Sequence, residues 1–147
     1  MVIRPAAIDW RGEIGKIGEQ IIFDLLKRET NDVHFSEDKF DRYKDLIAAT
    51  KTVEVKTQVP IKKYNAFAVS SNQIVKLMNV DRLFFVEIAK GNFIRIYEAL
   101  KPRLPFTKMF NNDVCYFFKL TDLHLYDTIE DESIASRLRS LTPSKYL

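Results

Sequence analysis

Apolar residues recur at three- and four-residue intervals from Ile14 through Ile17, Ile21 and Ile22 to Leu25 and Leu26, the stripe of an amphipathic helix over residues 13–28. Asn31-Asp32 ends that pattern, and Val33-His34-Phe35 reads as a first short strand. The period then changes to two. In Val53-Glu54-Val55-Lys56-Thr57-Gln58-Val59 the valines share one face, while Glu54, Lys56 and Gln58 share the other. The apolar run before it completes an antiparallel hairpin over residues 44–59, with Thr50-Lys51 expected as its two-residue turn. In that register Asp45 lies across from Lys56 on the same face, with Glu54 diagonal to it. Pro60 has no N–H to give and stops the pairing.

Beyond it, Lys62-Lys63-Tyr64-Asn65 is a basic loop leading to Phe67-Ala68-Val69. Ser70 or Ser71 caps a short helix bearing Ile74, Val75, Leu77 and Met78. Leu83–Ile88 is nearly continuous in apolar residues, the mark of a strand covered on both faces. Gly91-Asn92 turns it into a strand over 93–97. The pattern is weaker afterwards. Residues 101–105 form a stiff basic connector, 114–118 a further strand, and the acidic stretch from Asp127 to Glu132 precedes a last helix through Ile134, Leu138 and Leu141. No repeat, linker or low-complexity segment divides residues 1–147, so one domain is expected.

Composition narrows the setting more than the chemistry. Hydrophobic content of 46% with 29% charged residues is that of an ordinary globular chain. The apolar runs are too short for a membrane span and no signal-peptide core opens the chain, so no membrane partner is expected. A single cysteine, Cys115, excludes an internal disulfide and suits a reducing, cytoplasmic or intracellular setting, including that of a phage-encoded protein acting in its host; a buried thiol is the expectation for it. The net charge of +3 hints at an anionic partner without establishing one.

The chemistry lies in the hairpin. Two carboxylates and an ammonium on one patch of sheet can hold a divalent cation beside a phosphate, because Mg²⁺ takes hard oxygen ligands and keeps several waters. Glu13 and Glu19 both sit at an edge of the first helix's apolar stripe, and helical phase does not choose between them. Gly12, Gly15 and Gly18 each cost about 1 kcal/mol in a helix, which close packing or close approach to a phosphate would offset. Asp38 and Asp41 compete with Asp45, but neither lies in an apolar run. His34 and His124 lack a ligand partner at short spacing and read as structural. Phosphate-neutralising candidates are Arg4 and Arg11, Lys62-Lys63 with Tyr64, Lys101 with Arg103, and Arg137 with Arg139. Phe93, Phe106, Phe117 and Phe118 read as core.

Gly15-Lys16-Ile17-Gly18-Glu19 at the first helix, Asp45, and Glu54-Val55-Lys56 together resemble the core of the PD-(D/E)XK nuclease superfamily, and within it the small Holliday junction resolvases and small phage-type and homing endonucleases. The likeness covers residues 12–89 and departs at Lys44, where the superfamily has Pro. It implies an α/β, restriction-endonuclease-like fold in the order αβββαβ, with a mixed central sheet flanked by helices. It implies Mg²⁺, with Mn²⁺ as a substitute, held by Asp45, Glu54, the Val55 carbonyl and Glu19. Lys56 would serve the attacking water and the scissile phosphate. Nucleic acid would meet Gln58, Lys62, Lys63, Tyr64, Arg11 and Lys16.

The expected activity is a metal-dependent DNA endonuclease, junction-resolving or sequence-specific; the other readings are a related core acting on RNA with the same acids and a silent nucleic-acid-binding module of the same fold. Cutting both strands suits a homodimer or higher oligomer on branched or double-stranded DNA, with residues 90–147 as a candidate interface or DNA contact.

Overall fold

The computed structural model describes residues 9–36 and 45–147. Asp38, Asp41, Lys44 and Arg4 lie outside them. The architecture is α/β: helix α1 (Trp10–Leu26), strands β1 (Val33–Phe35), β2 (Leu46–Ala48), β3 (Lys51–Gln58) and β4 (Ala66–Ser70), helix α2 (Ser71–Asn79), strands β5 (Arg82–Glu87), β6 (Phe93–Glu98), β7 (Phe106–Phe110), β8 (Asp113–Lys119) and β9 (His124–Glu130), then helix α3 (Glu132–Leu141). A six-stranded sheet runs β1-β2-β3-β5-β6-β9, and only β3 and β5 are parallel within it. A second, three-stranded sheet runs β4-β8-β7. The expected α-β-β-β-α-β order is present, with β4 diverted from the main sheet to pair with β8.

The central strand β5 is buried on both faces, as its unbroken apolar run requires. Phe84 and Val86 pack with Ile14, Ile22, Leu26 and Leu138 from α1 and α3. Leu83 and Phe85 pack on the opposite side with Phe67, Ile74, Leu77 and Phe118 from α2 and the small sheet. Each of these fully buried large side chains contributes roughly 1.5–3 kcal/mol. Two cores thus clamp one strand, and that strand carries β3 beside it.

Several expectations change. Helix α1 starts three residues earlier than the apolar stripe, because the Asp9 side chain accepts the Gly12 N–H (3.1 Å) and caps it. The hairpin turn is Ala49-Thr50, both at positive φ (47° and 70°), instead of Thr50-Lys51. Leu46 accordingly pairs with Val53, which sets Asp45 opposite Glu54 and not opposite Lys56. The slip is by two residues, so the face of every side chain survives it. The acidic stretch before α3 is largely strand β9, and Asp131 alone caps the helix through the Ile134 N–H (2.9 Å). Cys115 lies half-buried in β8, paired across to Ser70 and Lys108, instead of in a core. Phe117 and Phe118 are core, whereas Phe93 is 48% exposed. Val75 and Met78 face solvent, and Ile74 and Leu77 are the buried residues of α2.

Of the helix glycines, Gly18 is the one that close packing on the sheet requires, whereas a Cβ at Gly15 would meet nothing within 4 Å. A Cβ at Gly18 would stand 1.7 Å from Thr57 Oγ1, so α1 reaches β3 only because that side chain is absent. Gly18→Ala is expected to destabilise the fold by about 1–3 kcal/mol through overpacking. Thr57→Ala in the same chain should recover part of that loss, measured as a shift in the denaturant midpoint. Equal stability of Gly18→Ala and the parent would refute this helix–sheet contact.

Candidate metal and phosphate site

Strand β3 outruns its partner. The β2 ladder ends at the Leu46–Val53 pair, and one further bond runs from the Asp45 N–H to the Val53 carbonyl (2.9 Å). Beyond it the Asp45 side chain substitutes for a strand, its Oδ2 accepting the Val55 N–H at 2.9 Å. Since N–H and C=O of one strand residue point the same way, the Val55 carbonyl faces the same open side. The result is a cleft of about 980 Å³ between α1, the free edge of β3 and α2.

Glu19, Asp45, Glu54, Val55, Lys56, Gln58, Arg11 and Lys16 all line this cleft. Glu13 does not; it pairs with Lys16 (3.6 Å) at the surface, so geometry separates the two helix acids that helical phase could not. Glu54 is 1% exposed. Its Oε1 lies 3.0 Å from Lys76 Nζ and 3.8 Å from Lys56 Nζ. Its Oε2 is buried with no hydrogen-bond partner. Among the described residues only two other buried side-chain oxygens are unpartnered, Ser36 Oγ and Thr57 Oγ1, and both belong to residues lining the same cleft. Native interiors leave few such groups, and an ion or ordered water is the usual reason.

Burial is the first cause that raises the Glu54 carboxyl from 4.5 to about 8, with the Asp45 charge second. The same two causes in the same order raise Glu19 to about 7. Lys56 is pushed below the usual lysine range, mainly by burial, against the pull of Glu54. Carboxylates in this state favour a cation. Among the described residues, no three His, Cys, Asp or Glu side chains are grouped closely enough to enclose a metal alone. The donor set nevertheless fits Mg²⁺, which completes its shell with water and phosphate oxygens around one or two carboxylates.

Other expected contacts are placed elsewhere. Gln58 spends its amide on β4, donating to the Ala68 carbonyl (3.1 Å) and accepting the Ala68 N–H (2.8 Å), as a surrogate rung between the sheets. Lys62, Lys63 and Tyr64 do not line the cleft: Lys62 borders a second cavity, Lys63 lies over the Tyr64 ring, and that ring packs on Phe106 and Phe117. Arg103 is buried, donating to the carbonyls of Ala99, Leu77, Val80 and Asp81. Arg139 holds the carbonyls of Ala89 and Gly91. His34 and His124 are exposed and outside the cleft. Lys76 is the residue that sequence reasoning missed. Its signal was its place on the helix linking β3 to β5, which a crossover between parallel strands must lay across the sheet.

No family model and no curated protein matches this chain. A solved structure described as D212, a nuclease from a fusselovirus, is similar over 96% of this chain and 97% of that one, at 12% identity and a TM-score of 0.47. No helix among the described residues is long and apolar enough to cross a membrane.

The raised Glu54 carboxyl sets a pH dependence. Its folded-state value, about 8, lies above the ordinary 4.5. The protonated form is therefore favoured by folding, and its stabilisation is complete below about 4.5 and lost as pH rises through about 8. In EDTA, thermal stability should fall from pH 5 to 9, Glu54→Gln should flatten that fall, and Mg²⁺ should offset it at the alkaline end. Parallel pH profiles for parent and Glu54→Gln would refute the buried-carboxyl account.

Proposed function

We propose that the chain is a metal-dependent endonuclease that hydrolyses DNA phosphodiester bonds. The observation that carries this reading is the buried Glu54 Oε2, left without a hydrogen-bond partner in a cleft that Glu54 shares with Glu19, Asp45, Lys56 and Lys76. Asp45, Glu54 and the Val55 carbonyl would hold Mg²⁺, with Mn²⁺ as a substitute and Glu19 in support. The bound ion would supply an acidified water and charge stabilisation at phosphorus.

The chain's own groups do the rest. The Val55 N–H fixes one oxygen of Asp45, and the other is the one Asp45 would offer to the ion. Lys76 holds Glu54 by Oε1, so that Oε2 is the oxygen left available. Lys56, with its ammonium destabilised by burial, can take or give a proton more readily than a surface lysine, and it orients water beside the scissile phosphate. Arg11 and Lys16 on the opposite wall neutralise flanking phosphates. Action on both strands would call for a homodimer, each copy presenting one cleft to one strand. Junction resolution and sequence-specific cutting share this chemistry and differ in substrate.

Labelled four-way junction, linear duplex and single-stranded DNA, each with Mg²⁺ or Mn²⁺, form the test. Asp45→Asn and Glu54→Gln should each lower cleavage at least about a hundredfold, since even groups behind a ligand cost 10–100-fold. Lys56→Ala should cost about 10²–10⁴-fold. Junction cutting alone would make the chain a resolvase, and cutting at one duplex sequence a site-specific enzyme. Binding without cleavage under every condition, unchanged by EDTA, would replace the enzyme with a silent binding module.

A further inference from the structure

The carboxylate cleft continues past the end of β3. Val59 and Ile88, which line it, also wall a second cavity of about 490 Å³. These residues directly follow β3 and β5, and the Ile88 N–H donates to the Gln58 carbonyl (3.0 Å), extending the parallel ladder to the cavity's edge. The crevice outside the carboxyl ends of parallel strands is where open α/β sheets bind ligands. Here the walls are apolar, from Val59, Pro60, Ile88, Ala89 and Leu147, and the rim is cationic, from Lys62, Lys90 and Arg139. Arg139 is anchored by the Ala89 and Gly91 carbonyls, and Lys62 Nζ stands 3.0 Å from the Leu147 carbonyl oxygen. Among the described residues neither Lys90 nor Arg139 is in an ion pair, whereas the buried Glu87 at the cavity is neutralised by Arg95 (3.4 Å).

An apolar slot with a cationic rim, opening off a phosphate-binding cleft, suits a flat base on an anionic backbone. We propose that this second cavity receives the unpaired nucleotide next to the phosphate held in the carboxylate cleft. Its base would rest on Val59, Pro60, Ile88 and Ala89, and its phosphate against Lys62, Lys90 and Arg139. The position of the neighbouring phosphate rests on the nuclease reading above. The cavity is in the range of small-ligand sites, about 300–1,000 Å³, and holds a nucleotide but not a duplex. A base enters only once out of its stack, which selects single-stranded, branched or frayed DNA over continuous duplex.

Oligonucleotides carrying 2-aminopurine at successive positions, as single strands, junctions and duplexes, test this with the 147-residue chain in Ca²⁺ and in EDTA. The expected result is a severalfold fluorescence rise at one position in the single strand or at the branch, and none within duplex. Ala89→Trp, which fills the slot, should abolish the rise and weaken single-strand binding about tenfold. Lys90→Glu, on an exposed residue, should weaken it comparably and carries the test if Ala89→Trp fails to fold. Bound complexes with no responsive position, or parent-like binding by both variants, would overturn the proposal. Base capture by a protein that cuts nothing with Mg²⁺ or Mn²⁺ would keep this cavity and discard the nuclease; cleavage without capture would do the reverse.

Discussion

The hydrogen bond from the Val55 N–H to the Asp45 carboxylate closes the β2–β3 ladder with a side chain where a strand would otherwise continue. From that point to Gln58, β3 has β5 on one side and, among the described residues, no strand on the other. A continued β2 would satisfy the backbone and leave no cleft; an abrupt end without Asp45 would leave the Val55 N–H unpaired next to a buried carboxyl. One acidic residue thus ends the ladder and lines the cleft that opens there. It also raises the carboxyls of Glu54 and Glu19, because its charge is the second cause in both.

Those raised carboxyls are an electrostatic cost built into the fold. Removing a carboxylate from water without full pairing costs several kcal/mol, and the group tends to protonate instead. Glu54 has partial compensation, two ammoniums at one oxygen and nothing at the other. The surroundings can hold this arrangement because β5 is clamped between two cores and carries β3 in fixed register. A softer sheet would let Glu54 turn toward solvent, and its unpartnered Oε2 would no longer be held in the cleft.

Much of this was legible in residue patterns. Period-two alternation placed Glu54 and Lys56 on one face, and that placement survived an error in the turn, since Ala49-Thr50 and Thr50-Lys51 differ by an even slip in register. The unbroken apolar run of β5 announced burial on both faces. What alternation cannot report is depth. It treats Glu54 and Gln58 as solvated, whereas β4 and α2 cover that face, bury the first and engage the second. Nor could it anticipate β4, because the pairing of Ala66–Ser70 with Asp113–Lys119 joins segments far apart in sequence, and the partner β7 has a weak pattern, ending in exposed Met109 and Phe110. Gly18 was legible as an expense but not as a contact, since Thr57 lies on another element.

Lys76 is the residue whose absence from the sequence reading is most informative, because its position depends on groups remote from the cleft. Helix α2 has nine residues and its N-terminal Ser70 makes no side-chain cap, so local propensity alone does not hold it in place. Packing of Ile74 and Leu77 fixes one face. Its far end is held by Arg103, whose guanidinium donates to the carbonyls of Leu77 and Val80 and so satisfies acceptors that the helix leaves free. Arg103 also reaches the Asp81 carbonyl, and the Asp81 side chain in turn accepts the Thr52 N–H (2.8 Å) at the start of β3. A buried arginine that reads in sequence as part of a basic connector is therefore a strut. Through α2 it sets where the Lys76 ammonium meets Glu54, and through Asp81 it ties that helix to the strand on which Glu54 stands.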